Sequence, residues 1–228
     1  MDTATPVLSP QQVTFFETFG FLRFPGLFTD IVEDITAGFE RVFAAEENLR
    51  METFEDLHGA DRRIIIPAFI TKDPYLHGLL DDPRVTGIVS SLLGPDYEYA
   101  ESDGNLFDCE SHWHSDIYGA PIKYQHLKLS FYLDPLRAES GAIRVMPGTN
   151  SVEHAYATAV RRLTWDSTKL EETFGMDPRE LPGHVIESDP GDLILWDFRT
   201  IHASYGGGER RRLFSVNFRE RMPEPAEA

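Results

Sequence analysis

The chain is predicted to fold as a mainly β protein with flanking helices, a helical lead-in followed by an all-β sandwich or barrel. Three observations predict it. Apolar residues at helical spacing are confined to about the first 95 positions. From about Tyr97 the chain becomes short extended runs separated by Gly, Pro and Asp turns. Its 228 residues, 41% of them hydrophobic, suffice for one buried core. We therefore expect a single domain over 1–228, with the lead-in over about 10–95, the β core over about 96–220 and a frayed Pro-, Glu- and Ala-rich tail over 222–228.

The first helix carries its own boundary signals. Ser9 can cap it, Pro10 suits its first turn, Val13, Phe15, Phe16 and Phe19 supply apolar positions, and Gly20 can end it. A short extended piece, Phe21 to Phe24, follows. Asp30 is then placed to cap a second helix, whose Ile31, Ile35, Phe39 and Val42 form one stripe best read as core packing. Ile64, Ile65 and Ile66 make a β-branched cluster before Pro67, and Pro83 to Leu93 reads as a helix ended by Gly94.

In the second half the clearest strands are Leu127 to Leu133, Ala142 to Val145, Leu193 to Trp196 and Leu213 to Phe218. Asp134-Pro135, Pro147-Gly148 and Asp189-Pro190-Gly191-Asp192 supply the turns between them. Residues 151–183 break this rhythm: they are polar, helix-like only around Lys169 to Phe174, and too long for a hairpin loop. An insertion that covers a site is the expectation.

Composition excludes several functions. A formal net charge of -17 opposes nucleic-acid binding, because phosphates need a basic surface, and would favour a cationic substrate. No apolar run reaches the roughly 18 residues of a membrane helix, and no export signal opens the chain, so a cytoplasmic protein without a membrane partner is expected. The single cysteine, Cys109, excludes an intrachain disulfide framework. Gly206, Gly207 and Gly208 are followed by acid and arginines rather than by Lys-Ser/Thr, so they read as a turn and not a nucleotide loop.

The chemistry resides in His114-Ser115-Asp116. An imidazole and a carboxylate two residues apart on a strand share one face and can hold one ion together. Two nitrogen ligands and one carboxylate on one face of an octahedron leave three positions open, the arrangement of non-haem Fe(II) oxygenases. His202, directly after the apolar strand Leu193 to Trp196, is the best third ligand. His112 competes but lacks a carboxylate two residues on and reads as lying beside the site. His126, His154 and His184 lack partner carboxylates at short spacing and read as structural.

Around these residues the sequence resembles the phytanoyl-CoA dioxygenase family of Fe(II)/2-oxoglutarate-dependent oxygenases. Trp113-His114-Ser115-Asp116 matches the family's Trp-His-x-Asp pattern. Leu133-Asp134 and Gly141-Ala142-Ile143-Arg144-Val145-Met146-Pro147-Gly148-Thr149 match the next block, and Gly191-Asp192 through Asp197 with His202-Ala203-Ser204 match the third. Gly20-Phe21-Leu22 before Pro25-Gly26 fits the family's first strand, so the resemblance runs from about residue 10 to 220.

The resemblance implies a double-stranded β-helix, the jelly-roll of cupin-like proteins, with Fe(II) between its sheets and 2-oxoglutarate and O2 as cosubstrates. It implies an arginine that holds the far carboxylate of 2-oxoglutarate, a charge a guanidinium fork suits. Alignment with the family's final strand places Arg211 there, with Arg212 as the alternative and Arg210 as a solvated turn charge. Ser204 matches the hydroxyl that assists this arginine, and Ser130, inward with Lys128 and Tyr132 if its strand alternates, is a candidate cosubstrate contact. Where many members carry an asparagine after the last histidine, this chain has Gly206-Gly207-Gly208. Asp116 argues against the halogenase branch, in which a small residue stands at that position. The implied activity is oxidation of a C–H bond of a small molecule, for which the acidity suggests a basic saccharide or similar natural-product intermediate. The rival reading is a non-catalytic β-helix protein that binds a small molecule or metal.

Overall fold

Ser9 and Gln12 open the first helix, α1 (Pro10–Phe19), by reciprocal hydrogen bonds, each side chain accepting from the other's backbone N–H. Gly20 closes it in the left-handed region at φ 81°. The computed structural model describes residues 8–46, 52–53, 62–117, 124–164, 166–207 and 210–221. The tail expected over 222–228 lies outside them.

One expectation for the lead-in, the Asp30 cap of its second helix, is corrected. Phe16 is buried and Val13 packs against the core, but Phe15 and Phe19 are exposed and lie against each other, with ring centroids 4.8 Å apart. A single helix on a sheet buries one stripe, and these two fall outside it. Helix α2 (Val32–Ala45) starts at Ile31 without a side-chain cap, because Asp30 pairs instead with Arg84 at 2.7 Å. Glu33 and Asp34 in its first turn face the positive end of the helix dipole.

The lead-in is also less helical than its composition suggests. Strands β1 (Phe21–Phe24), β2 (Glu52–Thr53) and β3 (Arg62–Pro67) alternate with α1, α2, α3 (Pro74–Gly78) and α4 (Pro83–Leu93), and all three join the larger sheet. The remaining strands are β4 (Tyr97–Phe107), β5 (Ser111–His114), β6 (His126–Tyr132), β7 (Ile143–Val145), β8 (His184–Ile186), β9 (Leu193–Asp197), β10 (His202–Ser204) and β11 (Arg211–Glu220). They form two antiparallel sheets, one ordered β1-β9-β6-β11-β4-β3-β2 and the other β5-β10-β7-β8, the jelly-roll that was expected. The basic strand opening at Arg211 is longer than expected, and Ala142 falls just outside β7.

Alternation along β6 and β11 divides the larger sheet into two chemistries. Leu127, Leu129, Phe131, Phe214, Val216 and Phe218 join Ile35, Phe39, Val85 and Ile88 of α2 and α4 in the main core. Each such buried side chain contributes roughly 1.5–3 kcal/mol. The intervening Lys128, Ser130, Tyr132, Arg211, Leu213 and Ser215 face the space between the sheets.

The segment 151–183 holds two helices, α5 (Ala155–Arg161) and α6 (Ser167–Phe174), where one helix-like piece was expected. Its Val160, Leu170 and Leu181 pack with Trp113, Met146, Ile201 and Tyr205, and the Trp113 indole donates to the Pro178 carbonyl at 2.7 Å. Because Trp113 alternates with His114 on β5, this cluster covers the opposite face of the smaller sheet. None of the described residues of 151–183 lines the inter-sheet cavity, which corrects the expected cover.

Gly104 shows how tightly the helical side seats. A Cβ there would lie 2.0 Å from the Phe69 ring, and Phe69 is fully buried against Phe39 and Phe214. Gly104→Ala is expected to destabilise the protein by about 1–3 kcal/mol through overpacking, read as a lower urea midpoint at unchanged slope.

Candidate metal centre

Antiparallel pairing of β5 with β10 sets His114 directly opposite His202, with ring centroids 4.2 Å apart. The His-x-Asp spacing suggested that Asp116 shares the strand of His114, but β5 ends at His114. Asp116 lies in the segment beyond, anchored by its backbone N–H to the Phe198 carbonyl at 3.0 Å. From there its carboxylate reaches the imidazoles, and the three side chains offer ligand atoms that all lie within 4.8 Å of one another.

The surroundings suit a divalent metal. Nδ1 of His114 lies 2.7 Å from the His112 carbonyl, and Nδ1 of His202 lies 2.9 Å from the Thr200 carbonyl. A carbonyl only accepts, so each Nδ1 carries the proton and each Nε2 keeps its lone pair for an ion. Burial pushes the pKa of His202 down, despite the opposing pull of Asp116, and so favours the neutral imidazole that a metal needs. For Asp116 burial opposes ionisation, yet Lys128, 3.2 Å away, with His202 and His114, holds the carboxyl well below its usual range. The Trp196 indole donates to Asp116 Oδ2 at 3.2 Å and orients it. Two imidazoles with Nδ1 held by carbonyls, one carboxylate and their fixed partners fit a facial triad.

These residues open onto a cavity of about 290 Å³ between the sheets, lined also by Arg211, Ser204 and Ser130. Arg211 is buried. Its Nη1 donates to the Gly141 carbonyl and to Ser204 Oγ, both at 2.7 Å, and its Nη2 donates to the Cys109 carbonyl. Among the described residues no carboxylate forms an ion pair with it, and its Nε has no hydrogen-bond partner. Burial accordingly pushes the guanidinium pKa down. Arg212 faces the other way and is committed to Asp134 and Glu40, each at 2.7 Å, which push its pKa up. Arg210 is exposed. Ser130 is fully buried on the cavity wall, and its hydroxyl has no partner.

The four other histidines weighed from the sequence stay outside the triad. His112 lies near Tyr205, His126 packs edge-on against Phe198, His184 stacks on Phe21, and His154 is exposed before α5. Sequence reasoning missed Trp196, read only as a strand residue, and the run Glu101, Asp103, Asn105, which also lines the cavity. Their signal is period-two alternation within β4, obscured by the acidic and Gly-containing composition of that strand. Tyr132, whose phenol burial pushes up to about 12, stands beside Arg211 and Lys128 as a protonated donor.

Fold and site together define a jelly-roll protein with a two-histidine, one-carboxylate cluster that could hold a metal ion. A sequence profile of the phytanoyl-CoA dioxygenase family matches residues 16–213, and the chain belongs to that family of Fe(II)/2-oxoglutarate-dependent oxygenases. No curated protein matches the chain by sequence. Among solved structures it is similar to the non-heme alpha ketoglutarate dependent carbocyclase SnoK from nogalamycin biosynthesis, at 20% identity and TM-score 0.73 over 96% of this chain and 86% of that one. HygX from Streptomyces hygroscopicus, with nickel and 2-oxoglutarate bound, is similar at 18% identity and TM-score 0.72, over 94% and 88% of the two chains. EctD from S. alaskensis in its apoform is similar at 19% identity and TM-score 0.68, over 99% and 82%. Among the described residues no helix is long and apolar enough to cross a membrane.

The indole contact makes a prediction. Trp196→Phe removes the donor to Asp116 and is expected to weaken Fe(II) or Ni(II) binding about tenfold in a chelator competition, whereas Asp116→Ala removes tight binding. Wild-type metal affinity in Trp196→Phe would show that the indole does not hold the carboxylate.

Proposed function

We propose that this protein oxidises a C–H bond of a small molecule with Fe(II), 2-oxoglutarate and O2, using His114, Asp116 and His202 as metal ligands. The observation that carries this reading is the coexistence, in one cavity, of a compact His-Asp-His cluster and a buried guanidinium without a carboxylate partner among the described residues. Iron with 2-oxoglutarate would supply the oxidising chemistry, coupling decarboxylation of the cosubstrate to attack on the C–H bond.

The chain's own residues do the binding and orienting. Arg211 is assigned to the far carboxylate of 2-oxoglutarate: an anion there compensates a charge that the fold otherwise leaves buried and unpaired. Ser204, which accepts from Arg211 and donates to the Gly141 carbonyl, holds the guanidinium in place. The free hydroxyl of Ser130 is a further donor to the cosubstrate. Trp196 and Phe198 present apolar surface next to the triad and help to exclude water.

The substrate reading is a basic small molecule of the saccharide or natural-product type. The net charge of -17 supports it, as does the similarity to HygX, which has been solved with hygromycin B bound, at 17% identity and TM-score 0.70.

Anaerobically iron-loaded protein mixed with 2-oxoglutarate and then oxygen is expected to form succinate slowly without substrate and faster with it. His114→Ala and Asp116→Ala should abolish both rates. Succinate formation that survives Asp116→Ala, or that never occurs, would overturn the oxygenase reading in favour of a binding protein. Arg211→Ala should weaken 2-oxoglutarate binding about 10- to 100-fold, the loss of charged hydrogen bonds, while Arg212→Ala leaves it near wild type. The reverse outcome would move the carboxylate site to Arg212.

A further inference from the structure

Away from the triad, the cavity has a second, acidic wall. Strand β4 sends Glu101, Asp103 and Asn105 into the cavity from alternate positions. Ser215 Oγ donates to Asp103 Oδ1 at 2.7 Å, Asn105 Nδ2 donates to Asp103 Oδ2, and Asn217 Nδ2 donates to Glu101 Oε1 at 3.3 Å. These neutral donors orient the carboxylates without cancelling their charge, and among the described residues neither acid forms an ion pair.

Asn105 supplies an independent sign of a ligand. It is 1% exposed, and because its amide nitrogen is committed to Asp103, its Oδ1 must point elsewhere, where it is buried without a partner. A buried acceptor left unmade is costly, so a ligand that brings a donor gains what the fold leaves open. The wall therefore offers two carboxylates and one amide oxygen, all acceptors. An ammonium group has three donors, no acceptor and the complementary charge.

We propose that Glu101, Asp103 and Asn105 form the subsite that recognises an ammonium group of the substrate, an amine-bearing polyhydroxylated small molecule. Strand register gives the scale. Lys128, beside Asp116, is opposite Asn217, which is opposite Glu101, so the acid wall stands two strand spacings, about 10 Å, from Lys128. A molecule of about two sugar rings spans that distance from the anchored amine to the metal end. Arg63, a further cation that lines the cavity, is opposite Phe107 and lies over its ring, displaced along the strand from the two acids. The substrate-class part of this proposal rests on the oxygenase reading; the binding part stands without it.

The test is calorimetric titration of Ni(II)- and 2-oxoglutarate-loaded protein with neamine and with its tetra-N-acetyl derivative, which keeps the rings and hydroxyls but not the charge. Neamine should bind at least tenfold tighter than the acetylated form, and Asp103→Asn and Glu101→Gln should each reduce that preference about tenfold. Both substitutions keep size, and 2-oxoglutarate binding measured in the same samples reports whether the cavity is intact. Equal affinities for the two probes, no binding of neamine, or a preference unchanged in both variants overturns the subsite. Loss of metal and 2-oxoglutarate binding in the wild-type protein would instead count against the oxygenase reading, and the amine preference is then read in metal-free protein.

Discussion

Arg211 ties the two sheets together at the point where the site is built. It belongs to β11 in the larger sheet, yet its guanidinium donates to Ser204 on β10, to the Gly141 carbonyl before β7 and to the Cys109 carbonyl before β5. Three separate pieces of the smaller sheet are thereby held against one side chain. The approach is close enough to dictate sequence elsewhere: a Cβ on Gly141 would lie 2.3 Å from Nη1, and one on Gly207 would lie 2.4 Å from Nε. Desolvating a cation among neutral acceptors costs stability, because dipoles only partly replace water and among the described residues no carboxylate compensates it. The fold thus holds, at its central seam, a charge best satisfied by an anion from outside.

The His114, Asp116 and His202 cluster depends on a different constraint, the register of short strands. Facing positions on β5 and β10 bring His114 and His202 together, and that pairing would fail with a one-residue slip, which would turn one imidazole to the opposite face. Backbone carbonyls two residues before each histidine fix its tautomer, so the local chain that positions the ring also sets its chemistry. Asp116 is reached differently, through a backbone bond to Phe198 and side-chain contacts from Trp196 and Lys128. Two members of the cluster come from the ladder and one from the segment that leaves it.

The larger sheet serves the site through its two faces. Its apolar face is committed to the helices, with Phe131 and Phe214 stacked 4.6 Å apart and parallel to within 4°. That packing fixes β6 and β11, and hence the direction in which Ser130, Ser215 and Arg211 project. The acidic residues of β4 follow from the same pairing, since Asp103 is opposite Ser215 and Glu101 is opposite Asn217.

Local chemistry in the sequence determined α1 with its Ser9 cap and Gly20 stop, helix α4 from Pro83 to Gly94, and the apolar strands β6, β9 and β11. Each of these is set by interactions among near neighbours or by a period that any partner surface would satisfy. The triad residues and Arg211 were legible because ordered blocks, rather than one short motif, surrounded them. Tertiary structure alone decided that Asp116 leaves the strand and that helices α5 and α6 cover the far side of the smaller sheet. It also made a cavity wall of Glu101, Asp103 and Asn105, which lie outside the clearest strands of the sequence. The reason is the same throughout: the face a side chain occupies depends on the strand beside it, and that strand comes from a distant part of the chain.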